Sequence, residues 1–427
     1  MIDLKLLKDR LDEAKLNIKN RYMDADPDLV LKLYDERNQL LTRLETVRKT
    51  RNDNAAKMKG AGSLPPDERT ALIEHGKVLK DEIAAMEKQL DELTLQLDNE
   101  AARLPNYAYP DAPLGKEDED ARELKTVGTV PHFDFKAKDH VELAEKLNLV
   151  NFEAGAKVAG PKFYFLKNEA VLLENALIRY ALDILAGHGF ELYQTPDIAK
   201  EEILTGIGFT PRGPESNIYP LEGTGTCLVG TAEITLGGYY ADEIINLENG
   251  PLLLGGVSHC FRREAGSAGQ FSKGLYRVHQ FTKVEMFVFC RPDESEAMHE
   301  KLLAIEEEIF SKLDIPYRVI DTPVGALGAP AYRKFDLEAW MPGRGDGDWG
   351  EITSTSNCTD FQARRLNIRF KDSDGKNKFV HTLNGTAVAV SRALVAILEN
   401  NQCADGSIVM PKALVPYLGF DTITAKN

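Results

Sequence analysis

The chain has few cysteines: five in 427 residues, at 227, 260, 290, 358 and 403, none in a C-x-x-C pair. That usage suggests neither a zinc knuckle nor a disulfide framework, and it fits a reducing, cytoplasmic compartment. No run reaches the ~20 apolar residues that a membrane-spanning helix needs, so no membrane partner is expected. The N-terminal stretch "MIDLKLLKDRLDEAKLN" carries acids and no apolar run, so it is not expected to act as a signal peptide. No G-x-x-x-x-G-K-[ST] occurs, so a bound nucleotide would not be held by a P-loop. Positive charge is in deficit, with 52 Lys and Arg against 67 Asp and Glu for a net −15. This argues against non-specific nucleic-acid binding over the whole surface and leaves a local basic face open. What is present is length and apolar content: 43% hydrophobic residues suffice for a large core in two or three domains.

Glycine and proline are nearly absent from residues 28–103 except in "KGAGSLPPDE" (59–68). Beyond that break, Leu79, Ile83, Met86, Leu90, Leu93 and Leu97 are spaced 4,3,4,3,4, which is a heptad seam. Before it, Leu33, Arg37, Leu40, Leu44, Val47, Arg51, Asn54 and Met58 keep the same alternation. Two long helices joined by a short Gly/Pro break predict an antiparallel coiled-coil hairpin. Its first helix is basic late in its length, at Arg43, Arg48, Lys49, Arg51 and Lys57. On the charge run alone, a solvated face laced with ion pairs is the simpler reading. "LPNYAYPDAPLGKEDEDARE" (104–123), with three prolines and an acid run, reads as a linker. The expected domains are therefore 1–103, a linker 104–123, and 124–427.

In the last of these, helical periods mix irregularly with strand alternation, which predicts an α+β fold built on an antiparallel sheet flanked by helices. A helix over 169–187 runs into a short strand ending at Pro196. "FRREAGSAGQFSKGLYRVHQF" (261–281) gathers five basic side chains, His279 included, against one acid, Glu264. Leu275 to Phe289 alternates strictly, with Arg277, His279, Phe281, Lys283 and Glu285 on one face. Arg262 and Glu264 share a face if the preceding strand continues through them, with "AGSAGQFSKG" as a hairpin loop. Guanidinium forks match phosphate oxygens, a ring stacks on a base, and a carboxylate accepts from an amine or ammonium. The set suits a nucleoside triphosphate beside an amino acid; a surface hairpin with ion pairs is the simpler alternative. Glu351 and Ser354 offer oxygens to Mg²⁺. Arg392 interrupts the apolar helix after Asn384-Gly385 and needs a partner. A phosphate would serve, unless that helix end reaches water.

These stretches together resemble the seryl-tRNA synthetase family. F-R-x-E followed by G-L-x-R-x-H-Q-F-x-K-V-E resembles motif 2 of class II aminoacyl-tRNA synthetases in its seryl form. "LNGTAVAVSRALVAILEN" resembles motif 3, and the helix–strand–Pro196 unit motif 1. "GTAEI" (230–234) is similar to the serine-binding T-x-E loop, and the hairpin to the tRNA-binding arm. The resemblance implies a class II catalytic domain that activates serine with ATP and passes it to tRNA(Ser), with tRNA(Sec) a second candidate. It implies ATP contacts from Arg262, Arg263, Glu264, Arg277, Val278, Phe281, Glu351, Ile352, Thr353, Ser354 and Arg392, with Arg262 and Arg392 catalytic and Mg²⁺ on Glu351 and Ser354. It implies serine contacts from Thr231, Ala232, Glu233, Arg262, Glu285, Asn384 and Thr386. Arg43, Arg48, Lys49, Arg51 and Lys57 would contact tRNA, and Pro196 would lie at a homodimer interface. One residue departs from the pattern: Thr386 stands where the family usually has serine, adding a methyl and stiffening χ1. An amino-acid:carrier-protein ligase and a non-catalytic scaffold on the same core are the rival readings. The arm argues against the first, and the presence of Arg262, Arg277 and Arg392 against the second.

Overall fold

The computed structural model describes residues 1–59, 65–210, 216–264 and 273–425. It divides into two compact units, Met1–Tyr107 and Ala108–Asn427.

The first unit is dominated by α1 (Pro27–Lys59) and α2 (Pro66–Arg103). Proline at the first position of α2 loses no hydrogen bond, because that N–H has no helical partner. Leu40 and Leu44 of α1 pack with Ile83 and Met86 of α2, flanked by Val47, Leu90 and Leu93. Cross-helix contacts run in opposite senses along the two chains. Arg37 bonds Thr94 at 3.4 Å, Arg48 bonds Glu87 at 2.7 Å and Asn54 bonds the Leu72 carbonyl at 2.9 Å. The hairpin is thus antiparallel; residues 60–64 of the expected Gly/Pro break lie outside the described residues. The seam extends past Leu79 to Gly76, where an added Cβ would stand 3.1 Å from Asn54 Nδ2. A glycine at a seam position makes room for a buried asparagine, and such a polar layer fixes register at some cost in stability.

The second unit is built on an eight-stranded sheet. Its strands in chain order are β1 (Arg122–Val127), β2 (Glu191–Gln194), β3 (Leu252–Phe261), β4 (Gln280–Cys290), β5 (Tyr317–Asp321), β6 (Arg333–Met341), β7 (Asp348–Asn357) and β8 (His381–Ala389). Their spatial order is β1-β5-β6-β7-β8-β4-β3-β2. Every pair is antiparallel except β2 with β3. The helices that matter for the site are α3 (His140–Lys146), α4 (Glu169–Gly187), α5 (Ala232–Gly237), α6 (Ser295–Lys312) and α7 (Val390–Asn400). Val284, Met286 and Val288 point into one core with Leu173, Leu177 and Tyr180 of α4. Phe287 and Phe289 point into a second core with Leu236 of α5. The sheet is therefore covered on both faces, and the charged face of β4 is open only near its start.

The strand boundaries differ from those expected. β3 ends at Phe261 and β4 begins at Gln280, so Arg262, Glu264 and Arg277 lie on the flanking backbone. Arg262 N–H still bonds across to the His279 carbonyl at 3.0 Å, but Arg263 N–H turns outward to the Asn217 carbonyl at 2.9 Å, and Glu264 adopts a left-handed φ of 50°. Most of the expected hairpin loop, residues 265–272, lies outside the described residues.

Candidate active site

The first cavity opens where β3 and β4 leave the sheet. Arg262, Glu264, Arg277, Val278, Phe281, Glu351, Ile352, Thr353, Ser354 and Arg392 all line it. The Arg262 guanidinium carbon lies 5.3 Å from the Phe281 ring centroid, and its Nε donates to the Gly230 carbonyl at 3.1 Å. Arg277 pairs with Glu264 at 3.3 Å. Arg392 does have a partner: its Nη1 lies 3.1 Å from Glu351 Oε1 and donates to the Glu351 carbonyl at 3.1 Å. Tyr276 ties this corner together. Its hydroxyl donates to the same carbonyl at 2.9 Å, and its ring lies under the Arg392 guanidinium at 4.8 Å and the Arg344 guanidinium at 4.0 Å. Desolvation pushes the Glu351 carboxyl up, but Arg392 and Lys334 outweigh it and hold the group below the usual carboxylate range.

Glu351 and Ser354 share the cavity because of a β-bulge. Three residues apart, they would face opposite sides of a regular strand. Leu337 pairs with Thr353 while Glu338 pairs with Glu351, which leaves Ile352 as the extra residue. The bulge re-aims the strand, bringing both oxygen-bearing side chains to one cavity and turning the Thr353 hydroxyl away to Glu306 at 2.9 Å. A partly exposed carboxylate beside a hydroxyl fits Mg²⁺, which takes few protein oxygens and keeps waters. Among the described residues, no group of three or more His, Cys, Asp or Glu side chains could hold a metal by itself.

A second cavity of about 260 Å³ adjoins the first. Arg262, Lys283, Ser354 and Thr386 line both. Thr231 caps α5, its hydroxyl accepting from Glu233 N–H at 3.2 Å, which aims the Glu233 side chain into the cavity. Glu233 Oε1 accepts from Gln362 at 2.8 Å and Asn384 at 2.9 Å. Burial, aided by the nearby Glu285 carboxylate, pushes Glu233 up to about 7. On β4 and β8, Glu285 stands opposite Thr386 and Phe287 opposite Asn384, with Ala387 as an extra residue on β8. Cross-strand partners share a face, so Glu285, Thr386 and Asn384 converge. Glu285 is buried and forms an ion pair with the buried Lys283. Burial raises its pKa, and Lys283 offsets part of that rise. Lys283 and Thr386 both address Glu285 Oε2, the threonine at 3.5 Å, and Glu285 lines the second cavity.

Not every expected site residue arrives. Ala232 is fully buried in the second core, and Arg263 is exposed and outside both cavities. Pro196 is exposed just past β2, the edge strand. On the hairpin, Arg43, Lys49, Arg51 and Lys57 are exposed, whereas Arg48 pairs with Glu87. Sequence reasoning missed Tyr276, Lys334 and Gln362. Lys334 reaches the second cavity from β6, paired with Asp336 at 2.9 Å. Only Tyr276 left a signal, as an aromatic beside Arg277.

A family model described as the seryl-tRNA synthetase N-terminal domain matches residues 1–108. A second, the tRNA synthetase class II core domain (G, H, P, S and T), matches 222–401. The chain is 64% identical over 423 residues to a serine–tRNA ligase of Treponema denticola, covering 99% of this chain and 100% of that one. It is 54% identical over 428 residues to a serine–tRNA ligase of Borrelia recurrentis, covering 100% of both. A crystal structure of a seryl-tRNA synthetase from Pyrococcus horikoshii complexed with ATP superposes with a TM-score of 0.91 at 39% identity, again over 100% of both chains.

Proposed function

The chain belongs to the seryl-tRNA synthetase family, and we propose that its serine–tRNA ligation is carried out in the two adjoining cavities, ATP in the first and serine in the second. The observation that carries this division is the shared wall: Arg262, Lys283, Ser354 and Thr386 line both. That wall is where a serine carboxylate would meet the α-phosphate. A carboxylate oxygen attacks the α-phosphorus, the bond to the bridging oxygen breaks, and pyrophosphate leaves. In the second step the terminal ribose hydroxyl of tRNA attacks the seryl carbonyl carbon and AMP leaves.

Neither step needs a covalent nucleophile from the protein, so positioning and charge neutralisation carry the catalysis. Arg262 serves the α-phosphate and the carboxylate, Glu264 the adenine amine and Phe281 the base. Arg277 and Arg392 serve the outer phosphates. Glu285 Oε1 takes the serine ammonium while Oε2 stays with Lys283. Thr231, Glu233, Asn384 and Thr386 wall the serine. Glu351 and Ser354 would hold Mg²⁺, which when bound neutralises phosphate charge. The exposed cations Arg43, Lys49, Arg51 and Lys57 supply a basic face for the tRNA backbone, with Arg48 partly neutralised by Glu87. Pro196 and the β2 edge suit a homodimer contact, where Leu192 and Ile198 are exposed. We extend the substrate range to tRNA(Sec) where that tRNA exists, and assign the enzyme to the cytoplasm. Among the described residues no helix is long and apolar enough to cross a membrane.

Serine-dependent exchange of pyrophosphate into ATP tests activation, and added tRNA tests transfer. Exchange with another amino acid in place of serine would overturn the assignment of the second cavity.

A further inference from the structure

Helix α7 carries two ionisable side chains seven residues apart, which is two turns along one face. Arg392 lines the first cavity; Glu399, 1% exposed, is used by nothing in the proposed chemistry. Its carboxylate accepts three N–H groups: His140 backbone N at 3.0 Å, His140 Nδ1 at 2.8 Å and Gly343 N at 2.8 Å. On the other side of the imidazole, Nε2 accepts from Leu275 N–H at 3.1 Å. A ring nitrogen that accepts carries no proton, so the proton sits on Nδ1 and a single neutral tautomer serves both bonds. Two glycines crowd the pair. At Gly274, with φ +64°, an added Cβ would come within 2.2 Å of His140 Nε2. At Gly343 it would come within 2.5 Å of the Asp139 Cα and 2.8 Å of the Glu399 carboxyl carbon.

The Leu275 N–H held here adjoins residues that line the first cavity, and the Gly343 N–H adjoins a residue packed on one of them. Leu275 is followed by Tyr276, which bonds the Glu351 carbonyl and underlies Arg392, and then by Arg277, which pairs with Glu264. Gly343 is followed by Arg344, which packs on the Tyr276 ring.

We propose that His140 and Glu399 are positioning residues for ATP: by fixing the backbone at Leu275 and Gly343 they hold Tyr276, Arg277 and Arg344 around Arg392. The proposal rests on the first cavity being the ATP site. Neither side chain lines that cavity, so the effect is exerted through the backbone.

The test is pyrophosphate exchange by the full chain with ATP and serine varied separately. His140→Leu puts an apolar side chain of similar size in place of the imidazole and loses both of the ring's hydrogen bonds. It should raise the ATP KM about tenfold or more, while the serine KM moves less than about twofold. His140→Gln can donate to Glu399 and accept from Leu275, and should return the ATP KM to within about threefold of the parent. An unchanged ATP KM in His140→Leu overturns the proposal. So does an equal rise in both KM values, or failure of His140→Gln to rescue. Nitrogen-15 histidine NMR of the unmutated protein, with His140 assigned by its loss in His140→Gln, adds a check that survives a misfolded leucine variant. A proton on Nδ1 is expected, and a proton on Nε2 overturns the proposal. Absence of serine-dependent exchange in the unmutated protein would instead overturn the parent reading. ATP binding by calorimetry then reads the two variants, a tenfold weakening confined to His140→Leu being the expected result.

Discussion

Arg392 Nη1 lies 3.1 Å from Glu351 Oε1 and 3.1 Å from the Glu351 carbonyl oxygen, so the guanidinium assigned to phosphate and the carboxylate assigned to Mg²⁺ hold each other. The two charges offset each other, and both side chains line the first cavity. Arg392→Met should lower activation at least ~100-fold, because it removes a phosphate-neutralising charge. The stability cost should be only about 1 kcal/mol, since the Glu351 side chain is 40% exposed and solvent screens the pair. Adding Glu351→Gln should recover the urea midpoint and none of the rate; recovered activity in the double variant would refute the assignment.

Glu285→Gln keeps the shape of the side chain and removes its charge. Serine-dependent activation should fall by about 2–5 kcal/mol in kcat/KM, the cost of an unpaired buried ammonium, with ATP affinity nearly unchanged. The change also strands the buried Lys283, so thermal stability should drop and recover when Lys283→Met is added. If serine kinetics survive, or ATP binding weakens equally, Glu285 does not hold the ammonium.

Glu233 sits near pKa 7 in the fold against an unfolded value near 4.5. Between those values the folded state binds more protons than the unfolded state, so this group makes stability fall as pH rises from about 4.5 to 7. Glu233→Gln retains an acceptor for Gln362 and Asn384 and does not titrate. Its urea midpoint should approach or exceed the parent's progressively from pH 5 to pH 8. A stability difference independent of pH would show that Glu233 ionises normally.

Thr386→Ser should change serine affinity by less than about tenfold, or ~1.4 kcal/mol. Both residues supply one hydroxyl, and the threonine hydroxyl is already positioned 3.5 Å from both Lys283 Nζ and Glu285 Oε2. A hundredfold gain in exchange kinetics would mark a different natural amino acid.

Binding of tRNA should weaken with salt, because phosphate contacts release counterions. Replacing Arg43, Lys49 or Lys57 singly with glutamine should flatten that dependence more than Arg48→Gln does, since Arg48 is occupied by Glu87. Deleting residues 28–103 should spare pyrophosphate exchange and cripple charging. Loss of exchange in a folded deletion protein would contradict the division of labour.

By itself, the sequence determined whatever repeats with a fixed period or carries a motif. The 4,3 spacing from Leu79 to Leu97 specified the hairpin because heptad positions return to one helix face. The alternation after Gln280 sent Val284, Met286 and Val288 to one core and aligned Lys283 with Glu285, since a strand has a period of two. The motif stretches around Arg262, Thr231, Glu351 and Arg392 identified the family. Tertiary structure alone decided what depends on a departure from period or on a distant partner. Strand parity would separate Glu351 from Ser354; the extra residue Ile352 unites them, and no local propensity announces a bulge. Parity credited Arg262, Glu264 and Arg277 to strands, yet they lie on the flanking backbone, where the ladder ends past Arg262 and the Arg263 N–H turns to Asn217. Arg392 needed a partner on any reading, but that it is Glu351 follows from β7 and α7 meeting over Tyr276. His140 and Glu399 are 259 positions apart in the chain, and only the packed fold brings the imidazole within 2.8 Å of the carboxylate.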